Sequence, residues 1–423
     1  MLDAILTRCR KSLPGWKETG EDIVHATIAS LIWAIALGLA VPAAAHENAV
    51  KIGVLSDMSS VYTDLGGQGS VEAAKLAIEE FGGSVLGKPI ELVVADHQNK
   101  PDIGVTIARR WFENDNVDAI FDVPTSSVAL AVNDIAGQAK KLVFFSTPIV
   151  DALTEARCSG YGMAWTWDTY SVTNTAVKAQ LDKGLTRWFI IHQDYAAGIA
   201  FAGATRASVE AGGGKIVGTI AHTINTLDWS SYLLQAQASG ADIILLTAGG
   251  TDLTNAMKQA REFGIGAKQQ RLGTLYAVIT DISSLGLEAM AGLTFVTASY
   301  WDLDDRARDF GKRFLARHKK MPTMFQAGVY SAVLQYLKAV KATGSDDADT
   351  VRKYLMSLDQ IDDPVVRNGK LLANGRLIHN MYLAQVKTPA ESTAPWDYFK
   401  ILGTIPAAKA FRSAQESACP LLR

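Results

Sequence analysis

Twice along this 423-residue chain, short apolar runs alternate with amphipathic stretches at the spacing of a strand–helix–strand unit. The first series reads as strand at 50–55 (VKIGVL), helix at 71–81, strand at 90–95 (IELVVA), helix at 103–112, strand at 117–123, helix at 128–139 and strand at 142–145. The second reads as strand at 188–192 (WFIIH), helix at 198–211, strand at 215–220, helix at 228–238, strand at 243–247 (IILLT), helix at 253–263 and strand at 293–298. Continuous apolar strands need cover on both faces, which a parallel sheet between two helical layers provides. Helices at 306–318, 327–342 and 350–358 follow, then a hairpin-like stretch at 374–385 around Gly375 and a late strand at 382–386. The expected fold is α/β, two doubly wound Rossmann-like lobes joined by a hinge. Residues 46–168 plus 300–373 are assigned to the first lobe, and 169–299 plus 374–423 to the second. No Pro/Gly/Ser-rich linker separates them, so short crossings serve as the hinge.

Residues 1–45 stand apart. The window 23–46 has no formally charged residue, and 28–41 (IASLIWAIALGLAV) is apolar. Arg8, Arg10, Lys11 and Lys17 precede it; Pro42 and Ala43-Ala44-Ala45 end it. That is the layout of a signal peptide cleaved before His46. Asp3, Glu18, Glu21 and Asp22 cancel the four positives, and an uncleaved anchor is the other reading, since the window is long enough to span a bilayer. Cleavage removes Cys9 and leaves Cys158 and Cys419 in an oxidising compartment, where a disulfide is expected against the alternative of one buried and one exposed thiol.

Other chemistries find little footing. With 41 Lys+Arg against 43 Asp+Glu, no cationic excess exists for nucleic acid. Three cysteines cannot build a four-ligand zinc site, and the seven histidines are scattered singly, so no metal is expected. Gly66-Gly67-Gln68-Gly69 follows a strand but continues to Glu72, which opposes a pyrophosphate. Gly212-Gly213-Gly214-Lys215 lacks the Ser/Thr of a phosphate loop, and no Gly-x-Ser-x-Gly or His-Glu-x-x-His occurs. Neither a cofactor nor an enzymatic activity is expected.

Several segments, in order, resemble the type I periplasmic binding proteins of ABC importers, in the leucine–isoleucine–valine-binding family. They are Ile52-Gly53 through Met58-Ser59 with Gly66; Thr125-Ser126-Ser127; Phe145-Ser146-Thr147 with Leu153-Thr154; His192-Gln193-Asp194-Tyr195-Ala196-Ala197-Gly198; and Met257-Lys258-Gln259-Ala260. The resemblance covers nearly all of the chain after the leader. It implies a periplasmic, monomeric solute-binding protein that delivers a small organic acid to the membrane subunits of an ABC permease. A ligand-sensing module of the same fold is the alternative.

In doubly wound sheets ligands bind beyond the carboxyl ends of strands. Ser126 and Ser127, where a strand passes into a helix, combine hydroxyls with free backbone N–H groups and suit a carboxylate, although a serine there can serve simply as an N-cap. Ser146 and Thr147 occupy the next strand end, Tyr195 would close from the other lobe, and Thr251 follows Gly249-Gly250 at a second-lobe strand end. Tyr62 lies in the first ligand loop as a lid. Trp165, Trp167 and Tyr170 cluster at the crossing, as hinge packing or cleft lining.

Amino-acid binders of the family hold the ammonium with an acidic side chain at a place that falls here in Gly273-Thr274-Leu275-Tyr276, which has no carboxylate. With Tyr276, Tyr62 and Trp167 as aromatic walls, an aromatic carboxylate such as a benzoate or hydroxycinnamate is expected, ahead of a 2-oxo acid or a branched-chain amino acid. The leader carries its own test. N-terminal sequencing of the periplasmic fraction should begin at His46, and full-length protein retained in the membrane would refute cleavage.

Overall fold

The computed structural model describes residues 49–266 and 270–422. The leader and its cleavage site lie outside them. The first sheet is built from β1 (Val50–Ser56), α1 (Gly67–Phe81), β2 (Ser84–Val85), β3 (Lys88–Asp96), α2 (Pro101–Glu113), β4 (Ala119–Asp122), α3 (Ser126–Ala139), β5 (Leu142–Phe145) and β6 (Gly162–Ala164). Its order is β2-β3-β1-β4-β5-β6, with every pair parallel except β2 with β3. Val50, Ile52, Val54 and Leu55 of the central strand are fully buried, so its apolar run does face two layers. Gly53 makes room there, because a Cβ would sit 2.4 Å from the Trp111 ring of α2.

A second sheet follows, from α4 (Thr169–Leu181), β7 (Arg187–Gln193), α5 (Ala196–Ala211), β8 (Lys215–His222), α6 (Ser230–Ala238), β9 (Ile243–Leu246), α7 (Gly250–Glu262), β10 (Arg271–Thr274) and α8 (Ile279–Leu285). It is all parallel, in the order β10-β9-β7-β8. Beyond α9 (Leu287–Met290), β11 (Thr294–Thr297) pairs antiparallel with β14 (Met381–Val386), which pairs with β15 (Phe399–Ile405). Between them run α10 (Asp305–His318), α11 (Met324–Thr343), α12 (Ala348–Ser357) and the hairpin β12 (Lys370–Leu371) with β13 (Leu377–Ile378). Val329, Tyr330, Val333 and Leu337 of α11 join the core around Val50, Ile52 and Val54, so α11 completes the first lobe.

Some elements differ from expectation. Helix α3 begins at Ser126, two residues earlier than its apolar period, and α1 begins four residues early. The strand expected over 117–123 narrows to β4, whose end turns through Asp122 and Val123 at φ 85° and 54°. Helix α4 was not expected, because its Thr- and Asn-rich first turns have weak helical propensity. Asp168 starts it through a reciprocal capping box with Ser171. Strands β6 and β15 were also missed; the former is three residues long.

The hinge depends on one buried cation. Arg376, between β12 and β14, donates through its guanidinium to the carbonyls of Ala164 at 3.2 Å and Trp167 at 2.5 Å, and its Nε lies 3.2 Å from the Asp168 carboxylate. Both side chains are buried, at 4% and 7% exposure. Arg376 thus joins one crossing to another. At the tail, Cys158 and Cys419 form a disulfide with a Cα–Cα distance of 5.9 Å. Arg412 beside Asp151 and Glu155 accepting from Ser417 and Ala418 hold the same tail to the first lobe.

Two outcomes follow from this packing. Thiol titration of the unfolded, unreduced mature protein should find no free thiol; two would refute the bridge. The chain-entropy model assigns so long a closure about 4–5 kcal/mol as an upper figure, so reductant should lower the melting temperature clearly. The second concerns Asp281, whose carboxylate accepts from the Val278 N–H at 3.2 Å at the start of α8. Burial pushes this carboxyl up to about 7 from the ordinary 3.8. The native state therefore holds an extra proton between those values. The stability that this proton confers is complete below about pH 4 and is lost as pH rises through about 7. Asp281→Asn should flatten that slope and stabilise the protein at pH 8 relative to pH 5 by roughly 2–4 kcal/mol in urea unfolding.

Candidate functional site

The loop after β1 is folded by its own aspartate. Asp57 accepts from the backbone N–H groups of Ser59, Ser60 and Tyr62, and from the Ser60 hydroxyl, closing a tight turn that presents Tyr62. The far end of the loop is clamped by the capping box of α11: Thr323 donates to the Leu65 carbonyl at 2.7 Å and Gln326 to that of Gly66 at 3.1 Å. Held at both ends, Tyr62 reaches the second lobe. Its hydroxyl lies 2.5 Å from that of Tyr195 and 3.4 Å from Gln193 Oε1. Beside it, Gly250 at φ +58° meets Val61, whose carbonyl oxygen lies 2.2 Å from where a Cβ would stand. Any larger residue would hold the lobes apart. Burial first, then the other phenol groups, pushes the Tyr62 hydroxyl well above its ordinary range, and burial does the same for Tyr195 and Tyr276. These are neutral phenols at any physiological pH.

In the first lobe, Asp122 uses both oxygens, accepting from Ser56 at 2.7 Å and from Thr147 at 2.6 Å. Its strained backbone and that of Val123 re-aim the chain into Pro124 and α3. Thr125 is the N-cap of α3, yet no side chain caps the helix, because the Thr125 hydroxyl turns to Asn99 instead. Ser126 and Ser127 are the first two helical residues, and the donors of the first turn are left without a side-chain partner. The simple capping role open to either serine is therefore not the one they play. Ser126 Oγ accepts from the Ile149 N–H at 3.4 Å. Ser146 is placed differently. Its hydroxyl is buried without a partner, and it packs beside Thr166 around Gly328 of α11.

The three aromatic residues at the crossing separate. Trp165 belongs to the first-lobe core, donating to Ser331 at 3.0 Å, and Tyr170 faces the Arg412 guanidinium at 4.8 Å. Trp167 alone enters the interlobe cluster. Its Nε1 donates to the Thr147 carbonyl at 2.8 Å, and its ring lies 4.6 Å from Tyr276 and 4.8 Å from Phe325. Phe201 stacks on Tyr276 at 5.9 Å and 16°. The fold thus gathers Tyr62, Thr147, Trp167, Tyr195 and Tyr276, with Ser126 joined through Ile149. Thr251 is exposed, and its neighbour Gly250 makes the cross-lobe approach.

The second lobe adds a group that sequence reasoning missed. Asp252, in the first turn of α7, is 1% exposed; its Oδ2 accepts from Gln193 Nε2 at 3.3 Å and from the Asn225 N–H at 3.2 Å. Residues 273–276 lack a carboxylate, as expected, but Asp252 brings one into the same network and contributes to raising the three tyrosines. A carboxylate directly after Gly249-Gly250-Thr251 at a strand end was the available signal. Among the described residues no group of three or more His, Cys, Asp or Glu is placed to hold a metal ion, and no helix is long and apolar enough to cross a membrane. A cavity of about 550 Å³ lies elsewhere, at the amino ends of β9 and β10 among Lys183, Arg261, Arg271 and Met290, away from the strand ends that meet between the lobes.

Comparison with known proteins agrees with the two-lobed fold. A model of the periplasmic binding protein family matches residues 49–393. A periplasmic binding protein from Burkholderia mallei superposes with a TM-score of 0.86 at 42% identity, covering 89% of this chain and 100% of that one. A branched-chain amino acid ABC transporter periplasmic ligand-binding protein from Burkholderia xenovorans LB400 does so with a TM-score of 0.80 at 47% identity, covering 88% and 100%. Among curated relatives, Leu/Ile/Val-binding protein homolog 7 of Brucella suis is 27% identical over 236 residues, 53% of this chain; the match spans 58% of that relative's length. With two doubly wound lobes meeting at their strand ends and a family match over most of its length, the chain belongs to the periplasmic binding protein family.

Proposed function

We propose that the protein is the exported solute-binding component of an ABC importer, capturing a small organic acid between its lobes in the periplasm and delivering it to the permease. Nothing is chemically transformed. The ligand favoured is an aromatic carboxylate. One observation carries this reading: the uncapped first turn of α3, holding Ser126 and Ser127, is joined through Thr147 and Ile149 to the aromatic wall of Trp167 and Tyr276. The helix end suits a carboxylate, and the wall suits a flat ring. Such ring pairs contribute roughly 0.5–1.5 kcal/mol beyond area burial. A solute-binding protein from R. palustris was solved in complex with benzoate; its likeness to this chain is one of fold.

The ligand would stabilise closure by contacting both lobes at once, since only differential affinity shifts a hinge equilibrium. The division into 46–168 plus 300–373 and 169–299 plus 374–423 is part of this proposal. Calorimetry against benzoate, coumarate, leucine, valine and a 2-oxo acid should find the aromatic acids bound most tightly. Tight leucine binding with none for the aromatic acids would overturn the preference. Ser127→Ala should weaken whichever acid binds by about 1 kcal/mol, the worth of one hydrogen bond.

A further inference from the structure

Asp252 is a buried carboxyl that is incompletely bonded. Gln193 and Asn225 both donate to Oδ2, while Oδ1 is buried with no partner among the described residues. No lysine or arginine is among the groups acting on its carboxyl; burial, Gln193 and the backbone of Asn225 and Thr226 are. The Gln193 amide is orientated by its two neighbours: its NH2 faces Asp252, and its oxygen faces the Tyr62 hydroxyl. Its NH2 carries a second N–H, but that donor makes no hydrogen bond to Oδ1. An acceptor left dry in this way costs about 1–3 kcal/mol. A fold tolerates that at a site which a ligand completes. The position fits, since Asp252 is tied through Gln193 to Tyr62, the residue that bridges the lobes.

We infer that Asp252 determines specificity, its Oδ1 accepting a hydrogen bond from a donor group, hydroxyl or ammonium, that the bound acid carries in addition to its carboxylate. This rests on the cleft being the solute site, as proposed above. The acid is then polar at two points. Its carboxylate meets the donors of α3, and its donor meets an end of the cleft occupied by Asp252 Oδ1, Gln193 Oε1 and phenol oxygens. An acid with a bare ring leaves Asp252 as it is in the empty protein and loses that advantage. Burial raises this carboxyl in the empty site, and a bound donor would favour its ionised form.

Calorimetry on the mature protein, freed of carried-over ligand by unfolding and refolding with the disulfide intact, would compare three acids. Benzoate has no second donor, 4-hydroxybenzoate offers a hydroxyl and phenylalanine an ammonium. At least one donor-bearing acid should bind tenfold or more tighter than benzoate. Asp252→Ala should bring that ratio below threefold. Asp252→Asn keeps the shape and a neutral acceptor, so it should retain a preference for a hydroxyl and abolish one for an ammonium; Asp252→Leu, of similar size and without an acceptor, should abolish both and decides the hydroxyl case if the alanine variant does not fold. Benzoate binding within threefold of both other acids, a preference that survives Asp252→Ala or Asp252→Leu, or an ammonium preference that survives Asp252→Asn, would overturn the role of Asp252 while leaving the acid site standing. Binding of none of the three would overturn both.

Discussion

The Arg376 guanidinium is the point from which the two lobes are positioned. A buried cation without partners would be far costlier than the fold can bear, and here four oxygens surround it: two carbonyls of the first crossing, the Thr154 hydroxyl and the carboxylate that starts α4. Asp168 consequently caps a helix and neutralises an arginine at once. The loss of either partner would leave the other buried and unpaired, and for that reason the pair sets hinge geometry even where its net contribution to stability is small.

Closer to the cleft, buried carboxylates act as organisers. Asp57 folds the loop that carries Tyr62, and Asp122 draws the hydroxyls of Ser56 and Thr147 inward. With these hydroxyls committed, the donors that remain at the first-lobe strand ends include those of the uncapped α3 and the Ser146 hydroxyl. On the second lobe, the phenols are held neutral by burial. They offer hydrogen bonds without a charge to desolvate.

Much of this was legible in the residues because topology sets where function lies. A strand end after an apolar run can be located from the run itself, and Ser126, Thr147, Tyr195 and Tyr276 all follow such runs. What escaped was whatever resembles an ordinary device. Asp252 in the first turn of a helix reads as a partner for the helix dipole. Helix α4 was hidden by its threonines, and the turn at Asp122–Val123 by its lack of glycine. Trp165 and Trp167 are chemically alike and two residues apart, so only three-dimensional packing distinguishes the core residue from the one at the cleft. Thr251 and Ser146 also sit at strand ends, yet one side chain is exposed and the other buried, a difference the sequence pattern does not encode.

The Cys158–Cys419 bond joins residues 261 positions apart, and the whole of the second sheet lies inside the loop it closes. That loop also contains α10, α11 and α12. A single backbone cut anywhere between the two cysteines therefore leaves the two pieces covalently joined, and only a reductant would part them.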